Sequence, residues 1–200
     1  MKRVVTILFL FVFAVAAFAQ TLSEEDSALL KEISASTSSI KSFTCSFTQV
    51  REDPLLEDPS VSKGQMQYRN DGTVVWKCTS PDSYQVTILK DKIIFAGGGK
   101  NRTFDVSSNH LMGDMQKLAD DVNSGKAFSD RDNSTVSVSR EKSVVTLKLV
   151  PVKKIMQKHL SSITMKFDAN NLLIESFEYL TPEGVSTTIA FSDWKLQRND

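Results

Sequence analysis

Histidine, cysteine and a glycine-rich run are the residues of this chain whose chemistry is worth testing first. His110 and His159 are the only two imidazoles in 200 residues, and neither belongs to a His-x-x-x-His or similar ligand spacing. Cys45 and Cys78 form no C-x-x-C pair, so neither a zinc site nor a redox dithiol is expected. Gly97, Gly98, Gly99 and Lys100 have the residue types of a phosphate loop, but the P-loop spacing and its strand-to-helix context are missing. That run reads as a flexible hairpin. The carboxylates are scattered over loops and turns, which leaves no pair placed for general acid–base work. No catalytic residue, metal or cofactor is expected, and the chain reads as a non-enzyme.

Both cysteines alternate with apolar residues, Cys45 between Phe43 and Phe47 and Cys78 two after Trp76. If strand order follows sequence, one strand separates them. At a strand spacing of about 4.8 Å they would sit about 10 Å apart, beyond the roughly 7 Å that a disulfide tolerates between Cα atoms. Buried free thiols are expected.

The elements that hold these residues follow from the hydrophobic period. Residues 22–40 read as a helix, with Ser23 as cap, Glu24, Glu25 and Asp26 in its first turn, and Leu29, Leu30, Ile33, Thr37 and Ile40 as one stripe. From Phe43 the period becomes two. Strands are expected at about 43–48, 62–69, 73–79, 84–88, 92–96, 102–106, 135–140, 143–150, 160–168, 172–180 and 184–191, separated by turn-forming residues such as Asn70-Asp71-Gly72. A second helical stretch over 109–125 carries Leu111, Met115, Leu118 and Val122 on one face and contains Gly113. The fold class is therefore α+β, with about eleven antiparallel strands in one sheet large enough to curl, and helices covering its concave face. No linker or repeat divides it.

Composition narrows the function further. With 24 basic and 24 acidic side chains the chain lacks the cationic excess of a general nucleic-acid binder. Lys2 and Arg3 precede an apolar run from Val4 to Phe18, and Ala17-Phe18-Ala19 fits a signal-peptidase site. The run is shorter than the roughly 20 residues of a membrane span. Residues 1–19 are expected to be a signal peptide cleaved after Ala19, leaving residues 20–200 as one periplasmic domain, a monomer. Gln20, not cysteine, stands directly after the cleavage site, so the chain itself is not expected to carry a lipid.

What remains is apolar material. Phe47, Met66, Val74, Trp76, Val86, Ile88, Ile93 and Phe95 fall on one side of successive strands, with Tyr84 among them. Leu111, Met112, Met115 and Leu118 would face them from the second helix, Met112 and Met115 being suited to variable ligands. These residues are either a packed core or the lining of an incompletely filled cavity that takes acyl chains. Likewise, the 109–125 helix is either a lid that moves when cargo enters or a rigid core helix.

Several ordered motifs add a resemblance. Ser42-Phe43-Thr44-Cys45-Ser46-Phe47-Thr48-Gln49 resembles the first strand of the LolA-like periplasmic lipoprotein carriers. Gly64-Gln65-Met66-Gln67-Tyr68-Arg69 resembles their Gly-x-hydrophobic strand, Val75-Trp76 followed by Ser80-Pro81 their Trp…Pro pattern, and Ile88-Leu89-Lys90-Asp91-Lys92 their next turn. The resemblance implies an open half-barrel closed by helices over an apolar cavity. Such a carrier takes acylated lipoproteins from an inner-membrane lipoprotein-releasing transporter, shields their acyl chains, and passes them to an outer-membrane acceptor. It also makes Arg69 the candidate for a lid hydrogen bond. The chain departs from the family where Arg-Pro becomes Arg69-Asn70 and Asp-Gly becomes Asp91-Lys92. Two other functions remain open: a carrier of another lipid or hydrophobic ligand, and a fully packed half-barrel that binds a protein by its surface.

Overall fold

The computed structural model of the protein describes residues 22–106 and 134–198. Helix α1 spans Glu24–Ser38, and the Ser23 Oγ accepts the Asp26 N–H at 3.0 Å. Three acidic residues occupy its first turn, where the helix dipole favours them. Leu29, Leu30 and Ile33 are its buried residues. The helix stops at Ser39, and Ile40, expected as the last member of its stripe, instead opens the first strand.

Eleven strands follow: β1 (Ile40–Glu52), β2 (Ser60–Tyr68), β3 (Val74–Ser80), β4 (Tyr84–Ile88), β5 (Lys92–Gly97), β6 (Lys100–Asp105), β7 (Ser134–Glu141), β8 (Val144–Pro151), β9 (Ser162–Asp168), β10 (Ile174–Leu180) and β11 (Ser186–Arg198). A single helical turn, α2 (Lys154–Gln157), lies between β8 and β9 and has no counterpart in the sequence expectations. Among the described residues, one antiparallel sheet holds all these strands in the order β6-β5-β4-β3-β2-β1-β11-β10-β9-β8-β7. Every pairing but one joins strands adjacent in sequence; the exception, β1 with β11, lies at the centre. The strands β6 and β7 are unpaired with each other, so the sheet is open.

Local chemistry accounts for the turns. Gly98 and Gly99 both have positive φ, 58° and 72°, as a two-residue hairpin of the primed type needs. The triglycine run is a hairpin between β5 and β6. At the β2–β3 turn the Asp71 carboxylate accepts the Thr73 N–H at 2.9 Å. Strand β6 at the edge is exposed throughout and carries Lys100, Arg102 and Asp105, charges that discourage pairing with another chain.

Two strands run further than the alternation predicts. β1 begins three residues earlier, and β11 continues past Phe191 to Arg198. The register passes from Thr44↔Lys195 to Ser46↔Ser192, so Asp193 and Trp194 both stand opposite Cys45. This is a β-bulge, with Asp193 at φ 54°. The extra residue breaks the period of two and hides the second half of β11 from pattern reading.

The buried core lies in the C-terminal half of the sheet. Leu29, Leu30 and Ile33 of α1 pack on Val136 of β7, Val145, Leu147 and Leu149 of β8, and Ile163, Met165 and Phe167 of β9. Ile33, Val145, Leu147 and Met165 are fully buried, each side chain gaining roughly 1.5–3 kcal/mol from leaving water. The helix thus covers one half of the sheet, where a cover over the whole concave face was expected. The 109–125 stretch, with Leu111, Met112, Met115 and Leu118, lies outside the described residues.

Candidate functional site

Directly paired residues in antiparallel strands put their side chains on the same face, so the register assigns each residue to a side. Phe43, Cys45 and Phe47 of β1 stand opposite Tyr68, Met66 and Gly64 of β2. These in turn oppose Val74, Trp76 and Cys78 of β3. Next come Ile88, Val86 and Tyr84 of β4, then Ile93, Phe95 and Gly97 of β5. All eight strand residues proposed from sequence as a cavity lining therefore share one face: Phe47, Met66, Val74, Trp76, Val86, Ile88, Ile93 and Phe95. The face is continuous with the core. Phe47 opposes Phe191, Ile189 opposes Phe177, Phe177 opposes Met165, and Met165 opposes Leu147 beneath α1. We call this side the inner face.

Its two halves differ in cover. Phe47 is 2% exposed, but Met66, Val74, Trp76, Val86, Ile88, Ile93 and Phe95 are only half-buried, while their counterparts under α1 are closed off. The patch from Phe43 to Gly97 carries no charged residue on this face until β6, where Phe104, Arg102 and Lys100 oppose Ile93, Phe95 and Gly97. Phe104 is 42% exposed.

Aromatic stacking organises the patch. The rings of Phe47 and Trp76 lie 3.8 Å apart at 26°. They approach because Gly64, between β1 and β3, has no side chain: a Cβ there would run into the Lys77 carbonyl oxygen and stand 2.7 Å from the Phe47 ring. Tyr84 stacks on Phe95 at 5.6 Å over Gly97, and Phe43 on Tyr68 at 5.6 Å. Trp194 closes the cluster at the centre, 5.1 Å from Phe43 and 5.8 Å from Phe191.

Phe43, Tyr68, Phe191 and Trp194 are absent from the site read from sequence. For Phe43 and Tyr68 the alternation was a usable signal. Trp194 shares a side with Phe191 only because of the Asp193 bulge, and β1–β11 pairing joins segments some 150 residues apart, so neither is legible in local pattern.

The cysteines are buried and free, as expected, with β2 between their strands. Burial pushes the Cys45 thiol up to about 12, and the Cys78 Sγ lies 3.3 Å from the Ser80 carbonyl oxygen, to which it donates. Tyr84 is also shifted upward, by burial first and by neighbouring Cys78 second. This half of the face stores neutral groups and disfavours charge.

Arg69 sits elsewhere, exposed in the β2–β3 turn. Its N–H donates to the Thr73 carbonyl at 3.0 Å, and its charge helps hold the Asp71 carboxyl low, after the dominant hydrogen bonds from Thr73. With Lys41, Tyr68 and Lys195 it lines an open cleft of about 450 Å³ at the end of β1, β2 and β11. The helix it was expected to bond lies outside the described residues. His159 is exposed between β8 and β9, and His110 is outside the described residues. Among the described residues no three His, Cys, Asp or Glu side chains gather as a metal site, and no helix is long and apolar enough to cross a membrane.

Fold and site together define a protein built on an open antiparallel sheet whose apolar inner face is capped by a helix over one half. The model of the outer membrane lipoprotein carrier protein LolA family matches residues 38–199, and the chain belongs to that family. Solved structures are similar to the chain at low identity. MucB is 16% identical with a TM-score of 0.50, over 89% of this chain and 61% of that one, so this chain spans about three fifths of it. A LolA superfamily protein from Nitrosomonas europaea is 11% identical with a TM-score of 0.41, over 86% of this chain and 94% of that one. The lipoprotein LppX of Mycobacterium tuberculosis is 12% identical with a TM-score of 0.48, over 88% and 99%. Comparison with curated proteins gives no match.

Proposed function

We propose that the protein is a non-enzymatic periplasmic carrier that shields the acyl chains of lipoproteins and moves them from the inner towards the outer membrane. The observation that carries this reading is the half-buried, uncharged aromatic and aliphatic face of β1–β5, continuous with the α1-covered core but not covered by that helix. A face of that composition gains roughly 0.8 kcal/mol for each acyl methylene it removes from water. With few hydrogen-bonding groups, the Trp76 indole N–H and the Tyr84 hydroxyl among them, it discriminates little between chains, which suits a carrier of many cargoes. The lining residues are Phe47, Met66, Val74, Trp76, Val86, Ile88, Ile93 and Phe95.

The rest of the reading follows from this assignment and from the leading segment. Cleavage after Ala19 would deliver a chain beginning at Gln20 to the periplasm. A releasing transporter in the inner membrane would load it, and an acceptor with a more favourable cavity would unload it. Membership of the lipoprotein-carrier family supports the cargo class.

Mass spectrometry of material that co-purifies with the protein from the periplasm tests the reading. Acylated peptides or lipoproteins in near-stoichiometric amounts are the expected result. Free lipid alone would shift the assignment to a general lipid carrier. No bound acyl material would leave the face as packed core and favour a protein-binding role.

A further inference from the structure

The β8–β9 connection presents a second apolar feature, on the rim of the sheet and separated in strand order from the β1–β5 patch. In Val152-Lys153-Lys154-Ile155-Met156-Gln157-Lys158, Ile155 is 63% exposed and Val152 48% exposed, and the three lysines are exposed beside them. The turn is held in place rather than loose: Gln157 Nε2 donates to the Pro151 carbonyl at 2.9 Å, and Leu160 N–H to the Met156 carbonyl at 2.9 Å. Between Glu141 and Asp168 the sequence has six lysines, one histidine and no carboxylate, in a chain whose overall charge is zero.

We propose that this corner docks on an anionic lipid bilayer, with Ile155 and Val152 entering the headgroup layer and Lys153, Lys154 and Lys158 meeting lipid phosphates. Apolar tips flanked by lysines are the residue pattern of an interfacial contact, because the lysine stems lie along the apolar layer while their charges stay at the headgroups. Among the described residues, two carboxylates face this region, from β10 and the turn after it. Glu178 opposes Thr164, which opposes Lys148, and Glu183 sits close enough to His159 for the two charges to interact. They leave the corner in clear cationic excess. The other exposed apolar pair on this rim, Leu55 and Leu56, lies among Asp53, Glu57 and Asp58 in the β1–β2 loop. That loop reaches the turn between β10 and β11, where Pro54 lies against Gly184. Its carboxylates weaken the contact, whereas the three lysines flank Val152 and Ile155 directly in sequence. This docking does not depend on the cargo assignment.

Sedimentation with vesicles tests it, using the purified protein beginning at Gln20. The expected result is binding to phosphatidylcholine vesicles about one-third phosphatidylglycerol and none to phosphatidylcholine alone, with loss of binding at about 0.5 M salt. Lys153→Gln with Lys154→Gln should weaken binding at least about tenfold, and Ile155→Ser about threefold or more. All three positions are exposed, so circular dichroism should be unchanged. Absence of binding, equal binding to neutral vesicles, or full binding by both variants would overturn the proposal. Cross-linking of Lys153 and Lys154 to an acidic protein without any vesicle binding would also overturn it in favour of a protein partner. Because vesicle binding is read without cargo, failure here leaves the acyl-carrier reading standing.

Discussion

Gly64 shows how much one methyl group matters at this site. Its missing side chain lets the Phe47 ring cross β2 and stack on Trp76. Gly64→Ala should therefore destabilise the protein by about 1–3 kcal/mol in urea unfolding, and near-ultraviolet circular dichroism should report the displaced Trp76 ring. Cys45 gives a second prediction through its ionisation. The folded state holds the thiol neutral up to about 12, whereas the unfolded chain ionises near 9.0. Its contribution is complete below pH 9 and is lost as pH rises towards 12, costing about 1.4 kcal/mol by pH 10. Unfolding at pH 8 and pH 10 should show a difference of at least that size, and Cys45→Ala should reduce it, leaving the smaller part due to Tyr84. Both thiols should resist alkylation until the protein unfolds, since neither is bonded or exposed.

The elements divide the sheet into a closed half and an open one. Ile33 is wholly buried between α1 and β7–β9, so Ile33→Ala should cost about 2–5 kcal/mol in denaturant unfolding. Amide exchange should be slowest at the central pair β1 and β11 and fastest along the exposed edge β6. Much of this arrangement was legible in the sequence. Half-buried strands alternate visibly, and turn residues such as Asn70-Asp71-Gly72 mark their ends, so the strand number and the face shared by Phe47, Trp76 and Phe95 could be read. Other features had no local signal. The amphipathic stripe of α1 says that the helix needs a partner without saying which strands supply it. The β1–β11 pairing is a contact between chain ends, and the bulge at Asp193 breaks the alternation that would have placed Trp194 beside Phe43.

In the molecule as a whole, one sheet carries both a buried core and an uncovered apolar surface. Residues from β7–β10 and α1 supply the buried packing, while β1–β5 keep a broad uncharged face that is only half-covered. If the exposed half binds acyl chains as proposed, the sheet stays folded while they come and go, since the core under α1 does not take part. The most direct test is direct binding of an acylated peptide to the purified protein and to Trp76→Glu, with circular dichroism confirming that both are folded. The account predicts saturable binding by the unaltered protein and at least about a tenfold loss in the variant, because a carboxylate would then be buried against the chain. Unchanged binding by a folded Trp76→Glu protein would contradict it.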